Sequence, residues 1–255
     1  MRCRSGEKHS CRHSIAPSRV LSVARIAYRC TMALNTSLPN PLRKSARRYA
    51  GQSSEERQRE RRKRLMNTAF ELFTSDGYQN TTVERICSEA KVTTRHFYQH
   101  FRNREALLEA LLARLREEVT AVVLNAMEKR SDPMQRAMLT VQAFVDYYLG
   151  DPRRARIGSV ESVGVSPRLE ALRRKSVRQF AQLITIAAND LVAAGQLPDR
   201  DYHLPAVALV GATHELIAEW LTGDTGLDAA AISREVSGMF EALIVGAREL
   251  GTTPR

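Results

Sequence analysis

From Leu65 to the C-terminal end, apolar residues recur at the three- and four-residue spacing of helices, and no stretch alternates with the period of two that a strand needs. Leu65, Met66, Ala69, Phe70, Leu72 and Phe73 fall on one arc, and Gly77 closes that helix. Val83, Ile86, Cys87 and Ala90 form a second apolar stripe, with Thr82 placed to cap its start. A short helix beginning at Thr93 has Phe97 and Phe101, four apart, as its buried edge. Asn103 caps a long helix with Leu108, Leu111, Leu112, Leu115, Val119, Val122, Val123 and Ala126 down one side, to about Lys129. Asp132-Pro133 restarts the chain into a helix that Gly150 ends, and Asp151-Pro152 opens a shorter one that breaks between Gly164 and Pro167. Leu169, Leu172, Val177, Phe180, Ile184, Ala187 and Leu191 mark the next helix, ended by Gly195. Two more follow, from about Pro205 to Thr222 and from about Asp228 to Leu250. The pattern predicts an all-α fold of about nine helices without internal repeats.

The segment from Thr82 to Phe101 holds two short amphipathic helices joined by a tight turn, the layout of a DNA-reading helix-turn-helix. With Phe97 and Phe101 turned inward, Thr93, Thr94, Arg95 and Gln99 are left outward as candidate base readers, since each has groups able to bond base edges or phosphates. Arg95 either pairs with a guanine, worth about 1–3 kcal/mol of discrimination, or binds only the backbone. Thr82 at a helix start is a candidate phosphate contact, because helix N-termini bind anions.

Charge strengthens this reading. Residues 1–50 carry 11 Lys and Arg against one acid, residues 51–102 carry 10 against 7, and residues 103–255 carry 18 against 20. All of the excess in a net charge of +11 therefore sits in the part that contains the helix-turn-helix, which favours a polyanionic partner for that part. The division expected is a basic tail without periodic structure over 1–52, a DNA-binding domain over 53–102 and a helical effector-binding and dimerisation domain over 103–255. Met32 offers a second start, so the expected beginning is Met1 or Met32. The basic run Arg57 to Arg64 reads either as a solvated helix start or as an arm that tracks phosphates.

Cys3, His9, Cys11 and His13 match no zinc-module spacing, so neither a metal nor a cofactor is expected, and Cys87 reads as a small core residue. No apolar run approaches the ~20 residues that cross a bilayer, and the arginines in SIAPSRVLSVARIAYRC make it a poor leader. The expected setting is cytoplasmic, with no membrane partner. No nucleophile–base motif, glycine-rich phosphate loop or HExxH pair occurs, so the chain is not expected to be an enzyme.

The stretch AFELFTSDGYQNTTVERICSEAKVTTRHFYQHFRNREALLEALL resembles the DNA-binding domain of TetR-type transcriptional regulators over roughly residues 57–112. The pairs Ala69-Phe70, Leu72-Phe73, Gly77-Tyr78, Thr81-Thr82, Phe97-Tyr98 and His100-Phe101 carry it, with Arg104 to Leu108. The resemblance implies a three-helix head that reads the major groove of a double-stranded operator. It also implies a helical C-terminal domain that holds a small-molecule effector and forms a homodimer through the last two helices. Tyr98 and His100 resemble the family's phosphate contacts. Arg104 stands where the family usually has lysine, keeping the charge but presenting a planar fork. Arg95 and His96 are larger than the residues common at those positions, so no operator sequence is carried over.

In the C-terminal part Phe144, Tyr148, Glu161, Phe180, His214 and Trp220 are candidates to line an effector pocket, with Glu161 as a polar handle; the same aromatics at helical spacing equally suit an ordinary core. Gly211, Ala212, Ala218, Gly238 and Gly246 permit close helix approach and suit a four-helix dimer seam. The function expected is a ligand-responsive repressor on a quasi-palindromic operator. An effector-independent DNA binder or an activator of the same fold is the alternative.

Overall fold

The computed structural model describes residues 53–129, 131–223 and 225–252. The basic tail, the Cys3–His13 set and the choice of start lie outside the described residues. Those that are described belong to one compact unit. They form nine α-helices: α1 Ser54–Ser75, α2 Val83–Glu89, α3 Thr94–His100, α4 Arg104–Glu128, α5 Pro133–Leu149, α6 Pro152–Arg156, α7 Pro167–Ala193, α8 His203–Thr222 and α9 Ala229–Thr252. A π-helical turn, Ile157–Glu161, follows α6 directly. No strand occurs among the described residues.

Local chemistry explains the helix starts. Each helix from α1 to α7 begins on a Ser, Thr, Asn or Asp whose side chain accepts an otherwise orphaned backbone N–H. At α1 the arrangement is reciprocal: Glu56 N–H donates to Ser53 Oγ while the Glu56 carboxylate accepts from Ser53 N–H. Pro133, Pro152 and Pro167 each occupy the first helical position, where the missing N–H costs nothing.

The terminations differ from one another. Gly77, at φ +86°, takes the left-handed backbone that releases the chain from α1 toward α2. Gly150 has ordinary φ and is needed for space, since a Cβ there would come within 2.9 Å of the Asp146 carbonyl. Lys91 closes α2 at φ +51°, the one non-glycine with positive φ among the described residues. Its carbonyl-side neighbour Val92 then donates to Cys87 O, making the helix-turn-helix corner.

Packing follows the sequence pattern with informative exceptions. Leu65, Ala69 and Phe73 of α1, Ile86 of α2 and Phe97 of α3 are all sealed from solvent and make the core of a three-helix head. Helix α4 leaves the head and packs along α5; α7 lies on α8, and α9 on α5 and α8. The buried line on α4 runs through Leu107, Leu108, Leu111, Leu115, Val119, Val123 and Met127. Val122, expected in that line, is 42 % exposed, because it lies about 100° around the helix from Val123. No described helix is long and apolar enough to cross a membrane.

Candidate nucleic-acid interface

Helix α3 is held from below and open above. Phe97 is fully buried, Phe101 nearly so, and their rings stand 5.7 Å apart. Thr94, Arg95, Tyr98 and Gln99 project to solvent from the opposite side. Arg95, Gln99 and the Tyr98 hydroxyl have no hydrogen-bond partner among the described residues, and Tyr98 is 57 % exposed with only its ring edge resting on Phe97. Such a face offers donors and acceptors with no internal claim on them.

Thr93 differs from Thr94. It is the N-cap rather than the first helical residue; its hydroxyl accepts from His96 N–H and pairs with His96 Nδ1 at 2.9 Å. That contact also accounts for His96, whose ring closes the helix start. Thr82 caps α2 by accepting from Arg85 N–H at 3.2 Å, and the residue is exposed. Arg85 in turn reaches back to Asp76 at 2.6 Å and ties α2 to the end of α1.

Arg104 is more committed than its sequence context indicated. Its guanidinium donates to the carbonyls of Gln79 and Thr81 and lies over the Tyr78 ring at 4.2 Å. It thereby fastens the start of α4 to the α1–α2 loop, and the remaining donors of its five are those free to meet a phosphate. His100 sits at the other end of α3, half-buried, with Nε2 shielded from solvent and unpartnered. Burial, then the Arg61 and Arg62 guanidiniums and His96, hold its ring below the ordinary histidine range.

The effector-pocket candidates divide into two groups. Phe144, Tyr148, Phe180 and His214 come together: Phe144 stacks edge-on with Tyr148 at 5.1 Å, Phe180 at 5.0 Å and His214 at 5.6 Å. Glu161 is elsewhere. One of its oxygens accepts from Tyr78 N–H at 2.7 Å and the other from Arg156 at 3.0 Å, so this carboxylate joins the π-helical turn to the head loop and is no handle in the aromatic group. Nothing in the sequence signalled a contact between residues 83 positions apart. Trp220 is half-buried near the end of α8 and makes no ring contact with the others. Tyr147 also turns away, donating to Glu118 at 2.7 Å under Arg154.

The space beside the aromatic group is small. A cavity of about 20 Å³, lined by Val123, Thr140, Phe144, Phe180, Leu209 and Thr213, has room for one water. A larger cleft of about 210 Å³ lies between α7, α8 and the second half of α9; Ile184, Leu191, Tyr202, Leu209, Phe240 and Ala247 line it. Sequence reasoning missed it because its wall comes from three helices whose apolar residues each read as core.

His214 Nδ1 is 2.8 Å from the Val210 carbonyl, and burial keeps the ring neutral by lowering its pKa, while that backbone contact opposes the shift. A histidine with a depressed folded pKa favours the fold fully above its unfolded value of about 6.5, and that contribution is lost as pH falls toward the folded value. The melting temperature is therefore expected to be level above about pH 7 and to fall below about 6.5. His214→Phe should flatten that fall in a pH series of thermal melts; an unchanged fall would show that His214 does not carry it.

Residues 65–111 match the model of bacterial regulatory proteins of the tetR family. The chain is 28% identical over 170 residues to the HTH-type transcriptional activator FasR of Mycolicibacterium smegmatis, covering 66% of this chain and 76% of that protein. It is 29% identical over 202 residues to the HTH-type transcriptional regulator TtgR of Pseudomonas putida, covering 71% and 96%. Among solved structures, a TetR-family transcriptional regulator from Syntrophomonas wolfei superposes with a TM-score of 0.66 at 17% identity, covering 73% of this chain and 96% of that one. That likeness speaks for the fold alone.

Proposed function

The chain is a TetR-family transcriptional regulator with a DNA-binding helix-turn-helix, and from that premise we propose that it is a homodimeric, ligand-responsive repressor of a quasi-palindromic operator. The carrying observation is the outer face of α3, where Thr94, Arg95, Tyr98 and Gln99 stand exposed over a buried Phe97–Phe101 edge. Two such helices would enter successive major grooves about 34–36 Å apart. Thr94, Arg95 and Gln99 would read bases, with Thr93 setting the helix start, while Thr82, Tyr98, His100 and Arg104 would hold phosphates. The head would comprise residues 53–102 and the effector and dimer domain residues 103–255.

Dimerisation through α8 and α9 is supported by apolar and small residues left uncovered on them. Leu204 is 73 % exposed and Val245 56 %, and a Cβ added at Gly211, Gly238 or Gly246 would meet nothing within 4 Å. Effector binding in the C-terminal domain would shift the two heads by differential affinity for two conformations. A second reading, effector-independent binding, is favoured by the tightness of the aromatic group around a space of about 20 Å³. Regulation without catalysis, in the cytoplasm, completes the proposal.

Selection of bound sites from random DNA tests it. Wild type should enrich an inverted repeat, and Thr94→Ala or Arg95→Ala should relax preference at particular base pairs by about 1–3 kcal/mol each. Recovery of the same motif at the same stringency by both variants would remove these residues from the reading set.

A further inference from the structure

Several arginines beyond residue 103 have a carboxylate partner among the described residues: Arg136 pairs with Asp190, Arg153 with Glu71 and Asp151, Arg168 with Glu109, and Arg173 with Glu170. The basic run on α1 is different. Arg59 pairs with Glu55, but Arg61, Arg62, Lys63 and Arg64 form no ion pair among the described residues, although Glu55, Glu56 and Glu60 lie on the same helix.

Two members of this run sit beside the end of the reading helix. The Arg62 guanidinium lies over the Phe101 ring at 5.2 Å, and the His100 ring rests against the same ring with centroids 6.3 Å apart. Arg61 is half-buried, with Nε hidden from solvent and unpartnered, and His100 Nε2 is in the same condition. Arg62 donates one N–H to Met66 Sδ at 2.9 Å, a weak acceptor that leaves most of its fork unused. Leaving donors desolvated and unpaired is unfavourable, and collecting positive charge without a counter-charge adds to the cost. An arriving anion would relieve the second by meeting the exposed Arg62 guanidinium.

We propose that Arg61 and Arg62 of α1, together with His100 at the end of α3, form a phosphate site that grips the DNA backbone beside the segment α3 reads, one site in each protomer. The site rests on the DNA-binding reading above and adds α1 to it as a backbone-contacting element. Phe101 is its floor, and it orients the Arg62 plane from below. The two guanidiniums supply the charge, while His100, its ring against Phe101, bounds the site at the end of α3.

The test is the salt dependence of DNA affinity for the full chain, from roughly 50 to 200 mM salt, on a selected site and on a random duplex. Each phosphate contact contributes about 0.9 to the slope of log affinity against log salt, so Arg61→Gln/Arg62→Gln should flatten the dimer's slope by about 1.8. Affinity should fall on both duplexes alike, with base preference unchanged. Arg61→Lys/Arg62→Lys, which keeps the charge, should recover most of the slope and controls for folding. Lys175→Gln/Arg178→Gln removes equal charge from α7 and should leave the slope as in wild type.

An unchanged slope in the Gln pair, an equal loss in the α7 pair, or altered base preference would overturn the proposal. If the wild type bound no DNA, the reading beneath it would fall as well. Wild-type binding combined with an unaffected Gln variant would remove this site alone.

Discussion

Replacing Phe97 with alanine is expected to lower stability by about 3–5 kcal/mol and to abolish DNA binding. Phe97 is fully buried where α1, α2 and α3 meet, and its ring touches Tyr98 edge-on at 5.3 Å and Phe101 at 5.7 Å. Helix α3 has only seven residues, too few to persist alone. Its shape in solution depends on that single inward ring with Phe101, so the outward Thr94, Arg95 and Gln99 lose their register when it is cut back. The damage should be local first. Trp220, the only tryptophan, lies in α8 and reports on the C-terminal helices, whereas amide exchange over residues 83–101 reports on the head. The expected result is fast exchange in the head at a denaturant concentration where Trp220 fluorescence is still native. A variant with normal exchange and normal operator binding would show that the head does not depend on this ring.

Asp190→Ala is the second large effect, expected at about 3–5 kcal/mol by urea unfolding. Arg136 is 5 % exposed, with Nη2 3.2 Å from Asp190 Oδ2 and Nε unpartnered. Burial pushes the Asp190 carboxyl above its ordinary range, although Arg136 pulls it down. A carboxyl raised in the fold favours the folded state below its unfolded pKa, and that contribution is lost as pH rises through the folded value. At neutral pH the ionised Asp190 therefore carries a cost that Arg136 offsets only in part. Deleting Asp190 leaves a guanidinium stranded between α5 and α7, which is the worse condition. Arg136→Met/Asp190→Leu removes both charges and should restore stability to near wild type. If the single variant unfolds like wild type, the pair contributes nothing; if the double variant is as weak as the single one, volume rather than charge is the cause.

Much of this was legible in the chain because its physics is local. Caps at Thr82, Asn103 and Asp132 were readable since each acts on N–H groups within three residues. The inward edge of α3 followed from two phenylalanines four apart, and the outward residues followed by subtraction. Helix α3 starts one position later than the pattern predicts: whether a threonine caps or opens a helix depends on its backbone, and Thr93 is extended at φ −68° and ψ 151°. Val122 was misplaced because a stripe read from leucine and valine alone does not track 3.6 residues per turn over seven turns.

Contacts distant in sequence were not readable at all. Glu161 bonding to Tyr78 N–H, Arg153 meeting Glu71 and Arg136 meeting Asp190 each join segments more than 50 residues apart, and none of these residues carries a sign of its partner in the sequence. The same holds for Arg104, whose partners Gln79 and Thr81 are backbone carbonyls without a residue signature.

Taken by itself, the sequence determined an all-helical protein, a basic half with a helix-turn-helix, and the residues that α3 turns outward, because periodicity, capping and net charge are sums over neighbours. Tertiary structure alone decided how tightly the aromatic group closes, where Glu161 is spent, and which arginines keep their charge unpaired. Those outcomes depend on how helices far apart in the chain meet, and a pairing between two charges exists only once the fold has brought them within reach.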